Sequence, residues 1–235
     1  MRHLIFGLGL LAACGDNLQR AMDARPIDSA PQDASTDGPC ATGRYVTGEL
    51  LDLDSTTAAL AGINAATFTQ RGGSATDMTS PNGRFEMCAS STTSYLFDVD
   101  APATHVDAIA YFEVEALTAR MISFRTWTPA RAVTFYTSLG LTYDTTKAQV
   151  LVFLAGDRSQ LTLSGGAHGT VVAGNDDATP GTVTWAAGSS GRYILFPNVD
   201  PTAGEVMVIG DLSGPHTVPV AAAKITFVAA AWVFL

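Results

Sequence analysis

The chain has 235 residues, 47% of them apolar and only 15% charged, with a formal net charge of −9. A sequence pI near 4.7 without any basic cluster argues against nucleic acid as a partner, because neutralising phosphates takes grouped Lys and Arg. The same balance argues against electrostatic docking on anionic lipid.

Residues 1–13 carry one positive charge at Arg2, an apolar run from Leu4 to Leu11, and the small residues Ala12 and Ala13 ahead of Cys14. A run this short cannot cross about 30 Å of hydrocarbon, which takes roughly 20 residues of helix. It reads as an export signal. Leu11-Ala12-Ala13-Cys14 resembles the lipobox of bacterial lipoproteins. That resemblance implies a diacylglyceryl group on the Cys14 thiol, cleavage before Cys14 and acylation of the new amino terminus. It also implies a place in the cell envelope, held by lipid, with the outer membrane favoured over the inner; an ordinary secretory signal is the alternative.

Residues 14–39 then read as a tether. Asp16, Asp23, Asp28, Asp33 and Asp37 stand with Pro26, Pro31 and Pro39 among small and polar residues. Such a composition buries too little apolar surface to offset chain entropy, and its like charges and prolines keep it extended. An acidic partner-binding tail is the other reading of the same residues.

From Cys40 onward the composition is that of a folded protein, long enough for one large core or two small ones. Short alternating or apolar runs predict strands at Tyr45 to Leu53, Ile63 to Thr69, Arg84 to Ala89, Ser94 to Val99 and Ile109 to Glu115. A second series follows at Gln149 to Ala155, Gly169 to Ala173, Thr182 to Ala186, Arg192 to Phe196, Glu205 to Ile209 and Lys224 to Phe234. Between the two series, Thr128-Pro129 reads as a helix N-cap and first turn, with Ala132, Val133, Tyr136 and Leu139 at helical spacing until Gly140. The expected fold is all-β: two tandem antiparallel sandwiches over 40–127 and 142–235, joined by a connecting helix at 128–141. The closing run is expected to be a strand covered on both faces, with Ile225 and Phe227 on one side and Val228, Trp232 and Phe234 on the other.

The two series resemble each other. Leu60-Ala61-Gly62 and Asn82-Gly83-Arg84-Phe85 in the first correspond to Leu163-Ser164-Gly165 and Ser190-Gly191-Arg192-Tyr193 in the second, at offsets of 103 and 108 residues. The order of strand, small-residue turn, strand, Gly-Arg-aromatic turn and strand is similar to the carboxypeptidase regulatory-like family of transthyretin-like sandwiches. The resemblance implies a module that does no chemistry itself and serves in spacing, adhesion or carbohydrate binding.

Residues able to carry chemistry are sparse. His105, His168 and His216 have no second His or carboxylate at zinc-hydrolase spacing, and Ser190 lacks the Gly-x-Ser-x-Gly elbow. His105 and Asp107 share one strand face, where a solvated edge is the simpler reading than part of a metal site. Asp52-Leu53-Asp54 and Asn175-Asp176-Asp177 lack the calcium-loop spacing and read as turns. Glu113 and Glu115 read as an exposed strand face rather than paired glycosidase acids. No cofactor or metal is expected. The expected partners are the membrane, through the lipid, and an envelope protein or polysaccharide.

A flat aromatic ring is what a sugar ligand would stack on. Trp127, beside the helix, is the residue expected to reach solvent and the first candidate contact; Trp185 is the second, although its alternation with Val183 is that of a core position. Trp232 reads as core. With Cys14 acylated, Cys40 and Cys88 are the two thiols left. Cys88 falls on the exposed face shared with Arg84 and Glu86, so in an oxidising compartment the two are expected to pair.

Overall fold

The computed structural model describes residues 40–53, 61–90, 94–113, 122–158, 161–176, 183–210 and 214–229. Cys14, the tether, Asp54, Glu115, Asp177 and Trp232 lie outside the described residues, as do the side chains of Glu113 and Asp176. Residues 37–235 form one compact unit. Among the described residues no helix is long and apolar enough to cross a membrane.

The fold is all-β. In chain order the strands are β1 (Arg44–Asp52), β2 (Thr67–Gln70), β3 (Thr76–Met78), β4 (Arg84–Ala89), β5 (Ser94–Asp100), β6 (Ala108–Glu113) and β7 (Ile122–Thr126). Helix α1 (Pro129–Ser138) follows, then β8 (Ala148–Arg158), β9 (Thr162–Ser164), β10 (Val172–Asp176), β11 (Val183–Ala187), β12 (Gly191–Val199), β13 (Glu205–Ile209), β14 (His216–Pro219) and β15 (Ile225–Ala229). They form three sheets, ordered β4-β1-β7, β11-β10-β12-β8-β15-β6-β5-β2-β3 and β14-β13-β9.

The two halves repeat one plan. In each, the opening strand is central, pairing antiparallel with the strand that starts at the Gly-Arg-aromatic turn and parallel with the last strand: β1 lies between β4 and β7, and β8 between β12 and β15. Three more strands correspond, β6-β5-β2 in the first half and β14-β13-β9 in the second, while β3 beside β2 and β10-β11 beside β12 have no counterpart in the other half. The turns depart from the repeat. Gly62 and Gly83 meet backbone to backbone, where a Cβ on Gly62 would fall 2.1 Å from the Asn82 carbonyl carbon. Their second-half counterparts are apart, Gly165 lying against Val206 and Gly191 against Gly174.

The expectation of purely antiparallel sandwiches is corrected in one respect. Besides β1 with β7, β15 runs parallel to both β6 and β8. It thereby fuses one sheet of each half into the nine-stranded sheet. Each face of that sheet has its own core. On one side Leu151, Tyr193, Leu195, Ile225 and Phe227 join Phe68, Phe85, Phe97 and Phe124 beneath β4-β1-β7 and α1. On the other, Val150, Val152, Ile194, Phe196 and Val228 pack against Val206, Val208 and Val218 of the β13–β14 layer. A strand covered on both faces has no polar side to present, which is why Tyr193 to Phe196 reads as an unbroken apolar run and Ile225 to Val228 is broken only by buried Thr226, whose hydroxyl donates to Pro219 O. The expected opposition of Ile225 and Phe227 to Val228 is what these cores display.

Helix α1 begins as the sequence specifies. The Thr128 hydroxyl accepts a hydrogen bond from Arg131 N, Pro129 takes the first turn, and Gly140 leaves the helix at φ +71°. Ala132 and Tyr136 are its buried face, whereas Val133, grouped with them by spacing, is 52% exposed. The helix is fixed to the second sandwich through Gln149, whose Oε1 accepts from the Tyr136 hydroxyl and from Asn198 N. Asn198, at φ +52°, turns its amide to donate to Thr142 O and to accept from Asp144 N.

Candidate functional site

The site is built on the outer strands of the second sandwich. β11 is the edge of the nine-stranded sheet, and its register sets Trp185 beside Gly174 of β10, Tyr193 of β12 and Phe153 of β8 in one row. Gly174 is what allows the row to form. A Cβ there would stand 2.9 Å from Trp185 Cδ2 and Cε2, so the indole lies across the β10 backbone where any other residue would push it off. Phe135 of α1 meets Trp185 edge-on at 5.1 Å between ring centroids, and Tyr193 lies 6.1 Å away on the other side. Tyr193 is buried, while Trp185, Phe135 and Phe153 are half-buried.

Two guanidinium groups cap this row. Arg125, on edge strand β7 of the first sandwich, places its Cζ 5.0 Å from the centroid of Tyr193. Arg192 places its own 5.2 Å from the centroid of Phe153. A register shift between Gly191 and Tyr193 breaks the alternation of β12, and Arg192 N donates to Asn175 Oδ1 at that point. Bulges of this kind re-aim a side chain, here bringing Arg192 to the side of its neighbour Tyr193.

Trp127 behaves otherwise than expected. It is 3% exposed, closed in by Phe135 at 5.9 Å and Tyr136 at 6.3 Å, because α1 folds back over the indole directly after Pro129. Its N–H is buried without a hydrogen-bond partner among the described residues, and burial raises the pKa of the nearby Tyr143 phenol. Trp185, read by alternation as a core position, is the ring that stays half-open, because β11 is an edge strand whose face α1 covers only in part. Sequence spacing shows which residues share a face but not which strand ends a sheet.

The remaining candidates are dispersed. His105 lies 3.5 Å from Asp52, whereas Asp107 accepts from Ala101 N and sits 3.9 Å from Lys224. His168 is exposed, with Nδ1 2.7 Å from Gly169 O, and His216 is buried beside Tyr111. Ser190 is exposed at the turn into β12. Among the described residues no group of three His, Cys, Asp or Glu side chains could hold a metal ion.

Cys40 and Cys88 form a disulfide with Cα atoms 5.5 Å apart, tying the segment that leads into β1 to the exposed face of β4. Next to it, an open groove of about 590 Å³ runs between β3 and β4, lined by Asp77, Met78, Asn82, Arg84 and Glu86 among others. Several of its polar groups are occupied within the fold. Asp77 accepts from Glu86 N, the Glu86 carboxylate accepts from the Tyr45 hydroxyl, and Ser80 bonds Asn82 and Arg84.

No family model matches the chain, and no curated protein matches it. Among solved structures it is matched to a streptococcal ancillary pilin at 11% identity, over 80% of this chain and 68% of that one, with a TM-score of 0.21. A likeness at that score carries no argument about fold or role.

Proposed function

We propose that this is a non-catalytic lipoprotein of the bacterial cell envelope, anchored through acylated Cys14 and lifted from the membrane by the tether. Its two sandwiches, of the transthyretin-like, carboxypeptidase regulatory-like kind, serve in contact or spacing rather than turnover. The observation that carries this reading is the Cys40–Cys88 bond. A structural disulfide persists outside the reducing cytosol, which supports export and so supports the reading of residues 1–14. The shared strand plan of the halves supports the tandem family reading. Intact-mass measurement of the protein from a membrane fraction tests the anchor. The expected species begins at Cys14 and carries acyl mass, and Cys14→Ser leaves the precursor uncut. A mature chain beginning at Gly15 or later without lipid overturns it, and cleavage of peptides or glycosides by clean protein overturns the non-catalytic reading.

A second reading, a carbohydrate-binding surface module, is favoured by one observation. The Trp185 indole lies over Gly174 at a sheet edge, half-open, with Phe135 and Tyr193 fixing its position. That is a preset stacking plane for the apolar face of a sugar ring.

A further inference from the structure

We infer that the Cys40–Cys88 bond diverts tension arriving along the N-terminal segment past the half-paired start of β1 and into the interior of the nine-stranded sheet. The inference rests on the anchored reading, which makes Cys40 the place where a pull on the tether reaches the folded part. β1 enters its sheet held on one side. Arg44 to Thr47 pair with β4 alone, and β7 joins the other side only from Gly48 onward. A chain pulled from the Arg44 end would open those pairs in turn, Arg44–Ala89 first, because an antiparallel ladder drawn apart from one end loads one pair at a time.

The bridge takes β1 off the line of pull. With residues 40 and 88 joined, the covalent path runs from Cys40 through the two sulfurs to Cys88, Ala89 and Ser90, and residues 41–87, which include β1 to β4, form a closed loop beside it. The next strand on that path is β5, flanked by β2 and β6, with Tyr95, Phe97 and Val99 at most 1% exposed. Ser90 is secured before β5 is reached: its N–H donates to Gln70 Oε1 at 2.9 Å and its carbonyl accepts from Gln70 Nε2 at 3.3 Å. Gln70 is buried on β2, the neighbour of β5, so a pull at Ser90 is shared between two adjacent strands. The lead into β1 is equally close-fitting. Gly43, at φ +81°, lies where a Cβ would stand 2.2 Å from the Ala89 carbonyl oxygen, so the turn after Cys40 is laid against the end of β4. A bridge that only restrained the unfolded chain could join β1 and β4 anywhere along their length; this one stands at the point of entry.

The test is single-molecule pulling at constant force on the full chain carrying Cys14→Ser, with handles at both termini in place of the acyl anchor. It compares the bridged protein with Cys40→Ala/Cys88→Ala. In a second geometry the N-terminal handle is moved to exposed Ser74, inside the loop, where the bridge is present but off the line of pull. Bridged molecules pulled by the termini are recognised by a final extension about 160 Å shorter, the sequence separation of 48 at about 3.4 Å per residue. With terminal handles the bridged protein is expected to last at least about tenfold longer before it first unfolds, the size of two hydrogen bonds kept closed at the barrier. With the Ser74 handle the two proteins are expected to last equally long, because a bridge acting on the unfolded chain leaves the lifetime of the native state little altered. Equal lifetimes with terminal handles overturn the inference. So does a bridge that lengthens the lifetime by the same factor in both geometries, since that is general stabilisation and not a path of tension. None of these outcomes bears on the acyl mass at Cys14, so the anchor reading stands or falls separately.

Discussion

Removing the Cys40–Cys88 bond by the double substitution Cys40→Ala/Cys88→Ala isolates a constraint on the unfolded chain. The bridge closes a loop over a sequence separation of 48 residues. On the chain-entropy account, closing a loop of that length is worth about 4 kcal/mol at room temperature. The native contacts nearby are otherwise retained, since β1 and β4 are paired from Arg44–Ala89 to Glu49–Arg84 regardless of the bridge. The compact unit spans Asp37–Leu235, and a unit of that size gains about 0.4 kcal/mol per kelvin of entropy on unfolding, so the variant should melt about 10 °C lower. Scanning calorimetry without reductant, with urea denaturation alongside, measures both quantities. The urea m value should rise in the variant, because an unbridged denatured chain exposes more surface. A melting point within about 2 °C of the parent, at an unchanged m value, would refute the loop-entropy reasoning.

Two further predictions concern the shared sheet and its electrostatics. Phe227 is 1% exposed on β15, edge-on to Phe124 at 5.4 Å; Phe227→Ala should cost about 3–5 kcal/mol, and urea melts followed by fluorescence and by near-ultraviolet dichroism should fall together, whereas separated transitions would show the halves to be independent. The Asp200 carboxyl is held below its ordinary value of 3.8, first by the backbone N–H and then the hydroxyl of Thr202, with Lys147 at 3.4 Å adding to it. Its contribution is present above the unfolded value and is lost as pH falls through the folded one. The stability gap between the parent and Asp200→Asn, measured by urea melts, should therefore be widest above the ordinary carboxylate range and narrow as the pH is taken below it; a gap that does not change with pH refutes it.

Much of the fold is legible in the sequence because its signals are local. Arg84 to Met87 alternates polar and apolar residues, and Glu205 to Ile209 is a short apolar run behind Gly204, so both strands emerge with the bounds read from the sequence. Thr128-Pro129 and Gly140 delimit the helix by capping chemistry that depends on no distant residue. What escapes the sequence is settled elsewhere in the chain. β3 and β9 are three residues long, and β14 ends in Pro219 at a sheet edge, where a missing N–H is tolerated. β7 alternates well in Ile122-Ser-Phe-Arg-Thr126 but gains its partner only by pairing in parallel with β1, far back in the chain. The site divides in the same way. Cys40 and Cys88 could be paired from composition and face alone, but the openness of Trp185 and the burial of Trp127 depend on which strand lies at the edge and on where α1 folds. Arg125 and Arg192 carry no signal in the sequence, since what joins them is a bulge and a neighbouring sheet edge.

The position of β15 also bears on how the protein comes into being. Both β6 and β8 are completed by β15, a segment synthesised after both of them. Until it arrives, each half holds an open strand edge beside exposed apolar surface, the condition under which chains pair with the wrong neighbour. Folding of this protein must therefore bring residues 225–229 into place promptly or keep the waiting edges apart, and a nick ahead of β15 opens both halves at a single cut.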